Sequence, residues 1–166
     1  MAKYPSQTES GECIFCKIVN GSLKTPGVFW EDDDFMAFLS IFPNTKGFSV
    51  VIPKKHFGSD VLAMPDKDLK KFIVAAKKVS NVLRKGFSDV GRVGLLMEGL
   101  GVDHAHIKLF PMHGTEFMDG GEWKQILCDK SDFYDKYPGY ISSHDGPEAN
   151  VNELKKLAER LKKVRG

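Results

Sequence analysis

The stretch His104-Ala105-His106-Ile107-Lys108 sets three nitrogen side chains on alternate residues. On an extended strand that period of two puts all three on one face, with His104 and His106 about 6.6 Å apart. Two imidazoles beside an ammonium make poor core, because burying them unpaired is expensive. The face is therefore either solvated or chemically employed. If employed, a neutral imidazole is a good nucleophile near pH 7. A second group lies near the start of the chain, where Cys13 and Cys16 form a C-x-x-C. The chain has 3 cysteines, and an odd number with Cys128 standing alone speaks against a disulfide framework. C-x-x-C in a reducing setting means metal ligation or thiol redox chemistry. Redox use would place the pair after a strand, at a helix N-terminus within a βαβ unit. Here the pair lies in the first ordered residues and runs on into Lys17-Ile18-Val19-Asn20-Gly21, so metal is the preferred reading.

The elements that must position these groups follow from patterning. Residues 1–10 are polar and read as a frayed N-terminus. Cys13 to Val19 reads as a short helical turn stopped by Asn20-Gly21. Val28–Glu31 and Phe35–Leu39, joined by an acidic turn, read as paired strands, and Phe48–Ile52 as a third, ended by Pro53. The clearest helix spans 65–85, with Pro65 as its first helical residue, Asp66 and Asp68 in the first turn, and Gly86 beyond the last. Its predicted buried stripe is Leu69, Phe72, Ile73, Ala76, Val79 and Leu83. Two more strands are expected, over 93–97 and 103–110. In the second, Ala105, Ile107 and Leu109 point one way and His104, His106 and Lys108 the other. Residues 114–150 are loop-rich, and a closing helix starts at an Asn150 or Asn152 cap with Leu154, Leu157, Ala158, Leu161 and Val164 as its stripe. This order is that of an α+β domain.

Composition narrows the class. The 166 residues suit one ordinary domain with an appendage, and 42% hydrophobic residues with 12 Phe exclude disorder for most of the chain. No apolar run approaches the ~18 residues of a membrane helix, and the start lacks an apolar signal core, so a cytoplasmic protein without a membrane partner is expected. Lys plus Arg is 24 against 22 acidic residues, and a net charge of +2 implies no dedicated nucleic-acid surface. Cys128 reads as an apolar filler, His113 and His144 as loop hydrogen-bonders, and Trp123 as core packing of the tail.

Taken together, these motifs resemble the histidine triad (HIT) superfamily. Its signature is three His on alternate residues, then two apolar residues and often Pro. This sequence has His104-Ala105-His106-Ile107-Lys108-Leu109-Phe110-Pro111, with Lys in the third place. Cys13-Ile14-Phe15-Cys16, Ala37-Phe38-Leu39 and Val50-Val51-Ile52-Pro53-Lys54-Lys55-His56 resemble the family's other landmarks in order and spacing. The resemblance covers residues 11–113 and leaves 114–166 as a C-terminal extension. It implies a curved antiparallel sheet with one long helix packed on it, an extension ending in a helix, and a two-fold homodimer.

The resemblance also implies nucleotide phosphate chemistry. The family's middle His, here His106, attacks the α-phosphorus of a nucleotide substrate, and the nucleotidyl-histidine then passes to water or another acceptor. His104 flanks it, and Lys108 takes the place of a group that neutralises a phosphate oxygen. Gly99 and Gly101 lie in the phosphate loop, and Ser40 stands where the family has a ribose-binding Asp. Relatives with this Cys pair bind a structural Zn²⁺ through positions matched here by Cys13, Cys16, His56 and His104. Ser40, Phe48 and Met97, with a short phosphate loop, depart from the family pattern. They make a non-catalytic, zinc-stabilised nucleotide- or phosphate-binding protein the alternative reading.

Overall fold

The computed structural model describes residue 5 and residues 7–25, 27–123, 126 and 128–164. It falls into two compact units, residues 1–123 and 124–166. The first unit opens with a one-and-a-half-turn helix, α1 (Ile14–Val19). Strands β1 (Val28–Glu31), β2 (Phe35–Leu39) and β3 (Ser49–Pro53) follow as a meander. Helix α2 (Asp66–Gly86) leads to β4 (Val90–Leu96) and β5 (Ile107–His113). All neighbours are antiparallel, in the order β1-β2-β3-β5-β4.

The pleat explains how one sheet serves two purposes. Residues directly opposite one another share a face, so Ala37, Val51 and Ile107 form one row across β2, β3 and β5. That row joins Phe72, Ala76, Val79 and Leu83 of α2 in the larger core cluster. The next row, Phe38, Val50 and Lys108, faces the other way. There Met36, Phe38, Val50 and Ile52 pack against Phe15, Ile18 and Val19 of α1. The sheet thus has a structural face under α2 and a second face under α1.

Several expectations shift at element ends. Pro65 is the N-cap rather than the first helical residue, and Gly86 belongs to the last turn of α2. Ile73 is exposed and Ala75 is buried, because the buried stripe rotates toward the small residue that lets α2 approach the sheet. Phe48 precedes β3, and β4 begins at Val90, earlier than the expected 93. The ladder of β5 starts at Ile107, since Ala105 spends its N–H on the Phe57 carbonyl at 2.8 Å rather than on a strand. His104 and His106 therefore lie just before β5, but the alternation survives: Ala105 joins the α2-side cluster.

In the second unit, α3 (Val151–Lys162) is capped by Asn150, whose Oδ1 accepts from the N–H groups of Asn152 at 2.9 Å and Glu153 at 3.2 Å. No residue of α3 is buried, so its apolar stripe finds no described core. Cys128 is exposed, which corrects its reading as apolar filler: the residues that follow it are themselves exposed loop. Trp123, at the end of the first unit, is partly exposed beside Phe117, at 6.3 Å between ring centroids, rather than packed in a core.

His113, at the end of β5, hydrogen-bonds from both ring nitrogens. Nδ1 lies 3.0 Å from Asp89 Oδ2, and Nε2 lies 2.9 Å from the Lys46 carbonyl. Both partners only accept, so the imidazolium satisfies them best, and the Lys46 carbonyl followed by the Asp89 carboxylate raises the His113 pKa. A raised folded-state pKa means stabilisation that is full below about pH 6.5 and is lost as pH rises through the raised value. The group is solvent-screened, so the contribution is small. An NMR titration should place the His113 pKa above that of a free histidine, and Asp89→Asn should return it toward 6.5.

Candidate functional site

The second face of the sheet carries the chemistry. Helix α1 is stitched to the preceding turn by Glu9, whose carbonyl accepts from the N–H groups of Glu12 at 3.0 Å and Cys13 at 3.1 Å. This places Cys13 at the N-cap and Cys16 one turn on. His56 follows β3, and His104 precedes β5. Cys13 Sγ lies 3.4 Å from His104 Nδ1, Cys16 Sγ lies 3.5 Å from the same nitrogen, and Cys16 Sγ lies 3.4 Å from His56 Nδ1. All four donor atoms fall within 4.8 Å of one another. The four residues expected to share a metal are brought together and can hold one.

The donor set is prepared for that use. His104 is fully buried, and its Nε2–H donates to the Pro53 carbonyl at 2.9 Å. The Nδ1 lone pair is thereby aimed at the two sulfurs, the outer-shell arrangement that fixes a ligating histidine's tautomer. Burial is the main cause that lowers the His104 pKa to about 4, so the ring is neutral. Burial, then the neighbouring Cys13, raises the Cys16 thiol to about 11.

His106 sits beside this group. The residue is 3% exposed, and its ring Nδ1–H donates to the His104 carbonyl at 2.8 Å. A carbonyl only accepts, so the proton is on Nδ1 and the lone pair on Nε2. Burial again lowers the pKa, keeping the ring neutral. Phe15 of α1 stands edge-on to both histidines, with ring centroids 5.8 Å from His104 and 5.7 Å from His106.

Phe15 also borders a cavity of about 810 Å³ between α1, the N-terminal segment and β2. Its walls are chiefly apolar, including Ile14, Ile18, Phe38 and Val50, and Ser40, Gly101 and Asp103 reach it as well. Ser40 Oγ accepts from the Phe42 N–H at 3.1 Å within a turn. Gly101, at φ +93°, has open space where a side chain would be. Gly99 does different work, because at φ +66° a Cβ there would meet the Ser59 carbonyl oxygen at 2.8 Å. Lys108 adjoins the cavity row through its pairing with Val50. It is ion-paired with Glu98, and burial lowers its pKa.

A match to the HIT domain family model spans residues 24–115. The chain belongs to the HIT domain family. An uncharacterised HIT-like protein of Methanocaldococcus jannaschii is 38% identical over 124 residues, covering 71% of this chain and 94% of that one. An adenosine 5'-monophosphoramidase of Schizosaccharomyces pombe is 31% identical over 112 residues, covering 67% of this chain and 82% of that one. Among solved structures, a HIT family protein of Bacillus subtilis superposes with a TM-score of 0.61 at 26% identity, covering 93% of this chain and 98% of that one. The five-stranded antiparallel sheet is the HIT fold.

Three residues of this HIT site escaped sequence reasoning: Phe15, Glu98 and Asp103. Glu98 had a signal, since a lysine on a half-buried strand face needs a carboxylate near it. Phe15 and Asp103 had none beyond adjacency to Cys16 and His104. A ligating thiol must lose its proton. Metal uptake at pH 7 should therefore release about two protons per ion, read in weakly buffered solution, and affinity should fall as pH is lowered. The double Cys13→Ser, Cys16→Ser variant should release none.

Proposed function

We propose that this HIT protein is a nucleotide hydrolase or nucleotidyl transferase working through a covalent nucleotidyl-histidine on His106. The observation that carries this reading is the Nδ1–H hydrogen bond to the His104 carbonyl, which leaves a neutral imidazole with its lone pair on Nε2. Nε2 attacks the α-phosphorus, the bond to the leaving group breaks with its electron pair, and the ring becomes cationic. That charge strengthens the Nδ1–H bond to the carbonyl, so the interaction is worth more after attack than before it. Water then attacks phosphorus and loses a proton to solvent, the P–N electron pair returns to Nε2, and the nucleoside monophosphate leaves. Lys108 supplies positive charge for a phosphate oxygen when a substrate competes with Glu98. In this reading the nucleoside would lie against the cavity's apolar walls, with Gly101 offering its backbone to phosphate and Ser40 standing by the sugar, both being lining residues.

The metal in this reading is one structural Zn²⁺ on Cys13, Cys16, His56 and His104. Bonds of about 2.3 Å to sulfur and about 2.0 Å to nitrogen give S···N edges of about 3.5 Å in a tetrahedron. The distances of 3.4 Å and 3.5 Å support that fit. All four positions are taken by side chains, so the ion would tie α1 to the His106 turn rather than bind substrate. Thiols committed to metal accord with a reducing cytoplasm. No helix among the described residues is long and apolar enough to cross a membrane.

A homodimer belongs to the same reading. Strand β4 is a sheet edge, and Ile73, Val74 and Val82 of α2 leave apolar side chains exposed. Two-fold pairing of β4 with covering of α2 would remove both liabilities. Solution scattering at micromolar concentration should return twice the mass of one chain; a monomer mass removes this part of the proposal.

Two observations favour a second reading, a non-catalytic binder: His106 is nearly covered, and Lys108 already has its carboxylate. Turnover decides. Adenosine phosphoramidate should release AMP, and His106→Ala should cut the rate by at least about a thousandfold. Zinc content should be unchanged, because His106 is not a ligand. Nucleotide binding without turnover, equally tight in His106→Ala, would establish the binder instead.

A further inference from the structure

The metal-ligating side chains come from three separate segments: Cys13 and Cys16 at the N-terminal end, His56 after β3, and His104 before β5. Ordering such segments costs chain entropy, and an ion alone would have to offset all of it. One side chain outside the ligand set already joins all three. Asp103 Oδ2 accepts from the Thr8 N–H at 2.6 Å, Oδ1 accepts from the Ser59 N–H at 2.9 Å, and its own backbone leads into His104. Thr8 is continuous with Glu9, whose carbonyl fastens Cys13. Ser59 is three residues from His56, whose neighbour Phe57 accepts the Ala105 N–H. Close packing of Gly99 on the Ser59 carbonyl holds the same loop from the other side.

Asp103 is only 9% exposed, and a buried carboxylate is expensive unless it is hydrogen-bonded. Two backbone donors make charge-assisted bonds, stronger than neutral ones. A counter-charge role does not explain it, because two thiolates already balance a divalent ion. We propose that Asp103 is a positioning residue for the metal centre. Through Thr8 and Ser59 it holds the cysteine segment and the His56 loop in register with His104 before an ion arrives. This rests on the metal reading above.

Cobalt(II) makes the test visible, because thiolate-to-cobalt absorption reports the ligand set. The wild-type chain, Asp103→Ala, Asp103→Asn and Thr8→Pro are titrated with Co²⁺ and then challenged with a chelator, and melting is followed with and without metal. Every protein should give the same absorption shape, since no ligand is removed. Asp103→Ala should bind about tenfold more weakly, the low end of the cost of losing a group that hydrogen-bonds a ligand directly, since Asp103 acts through the backbone of two ligand-bearing segments. Asp103→Asn keeps one acceptor oxygen and Thr8→Pro removes one donor, so both should fall between. Affinity unchanged in Asp103→Ala, with melting lowered equally with and without metal, overturns the assignment and makes Asp103 a general fold contact. Should Asp103→Ala fail to fold, Thr8→Pro decides: unchanged affinity there overturns it too. Absence of the thiolate band in the wild-type chain refutes the metal reading and this inference together. A wild-type band with equal affinities in the variants refutes the positioning role alone.

Discussion

Ala105, Ile107 and Leu109 lie in the core beneath α2, while His104 and His106 turn to the opposite side under α1. The rest of the site depends on that split. Because side chains alternate along an extended chain, His106 is bracketed by Ala105 and Ile107, both locked into the structural face, and His104 is tied to it through Ala105. A slip of one residue would send both imidazoles into the core cluster and lift Ala105 and Ile107 toward α1. The α2 core therefore fixes the register that aims His106, although no residue of α2 stands among those assigned to the site. Burial under α1 supplies the second constraint, keeping both rings neutral by desolvation.

Helix α1 serves two sites at once. Its Cys16 belongs to the metal-ligating cluster, and its Phe15 touches His106 and borders the cavity. A six-residue helix is too short to be stable alone in water, so packing or ligation has to hold it. Packing comes from Phe38, whose ring meets Phe15 at 5.7 Å, and from the apolar side chains of β2 and β3 on the same face. Ligation would add the cross-link between Cys13, Cys16 and the turn before β5. The Cys/His cluster and the cavity share a wall here.

The legible parts of the sequence were those governed by local rules. An apolar run after an acidic turn placed β2 at 35–39 with both ends right, and the 3.6 period placed α2 to within a residue. The Cys13, Cys16, His56 and His104 cluster was reached through resemblance rather than spacing, because 40 residues separate Cys16 from His56 and 88 separate it from His104. What stayed hidden depended on backbone contacts between distant loops. The expectation of a strand from residue 103 missed that Ala105 bonds Phe57, and Asp103 gave no sign of reaching Thr8 across 95 positions. Ile73 and Ala75 differ for a related reason: periodicity locates a stripe, but the neighbouring sheet decides which edge of it is buried.

His104 and His106 are neutral, a divalent ion on two thiolates would contribute no net charge, and Lys108 is paired with Glu98. A phosphate arriving at His106 would thus meet little uncompensated positive charge. Two sources are at hand: backbone N–H groups near Gly101, where the space is open, and Lys108 itself. Burial already lowers the Lys108 pKa, so a second anion beside it would favour its charged form and offset that cost. Glu98, with its side chain largely buried, would have to yield or turn outward for Lys108 to engage phosphate. Under the proposed chemistry, the Lys108–Glu98 pair therefore sets how tightly a ground-state phosphate is held. The Nδ1–H bond of His106 acts later, on the charge that forms only after attack.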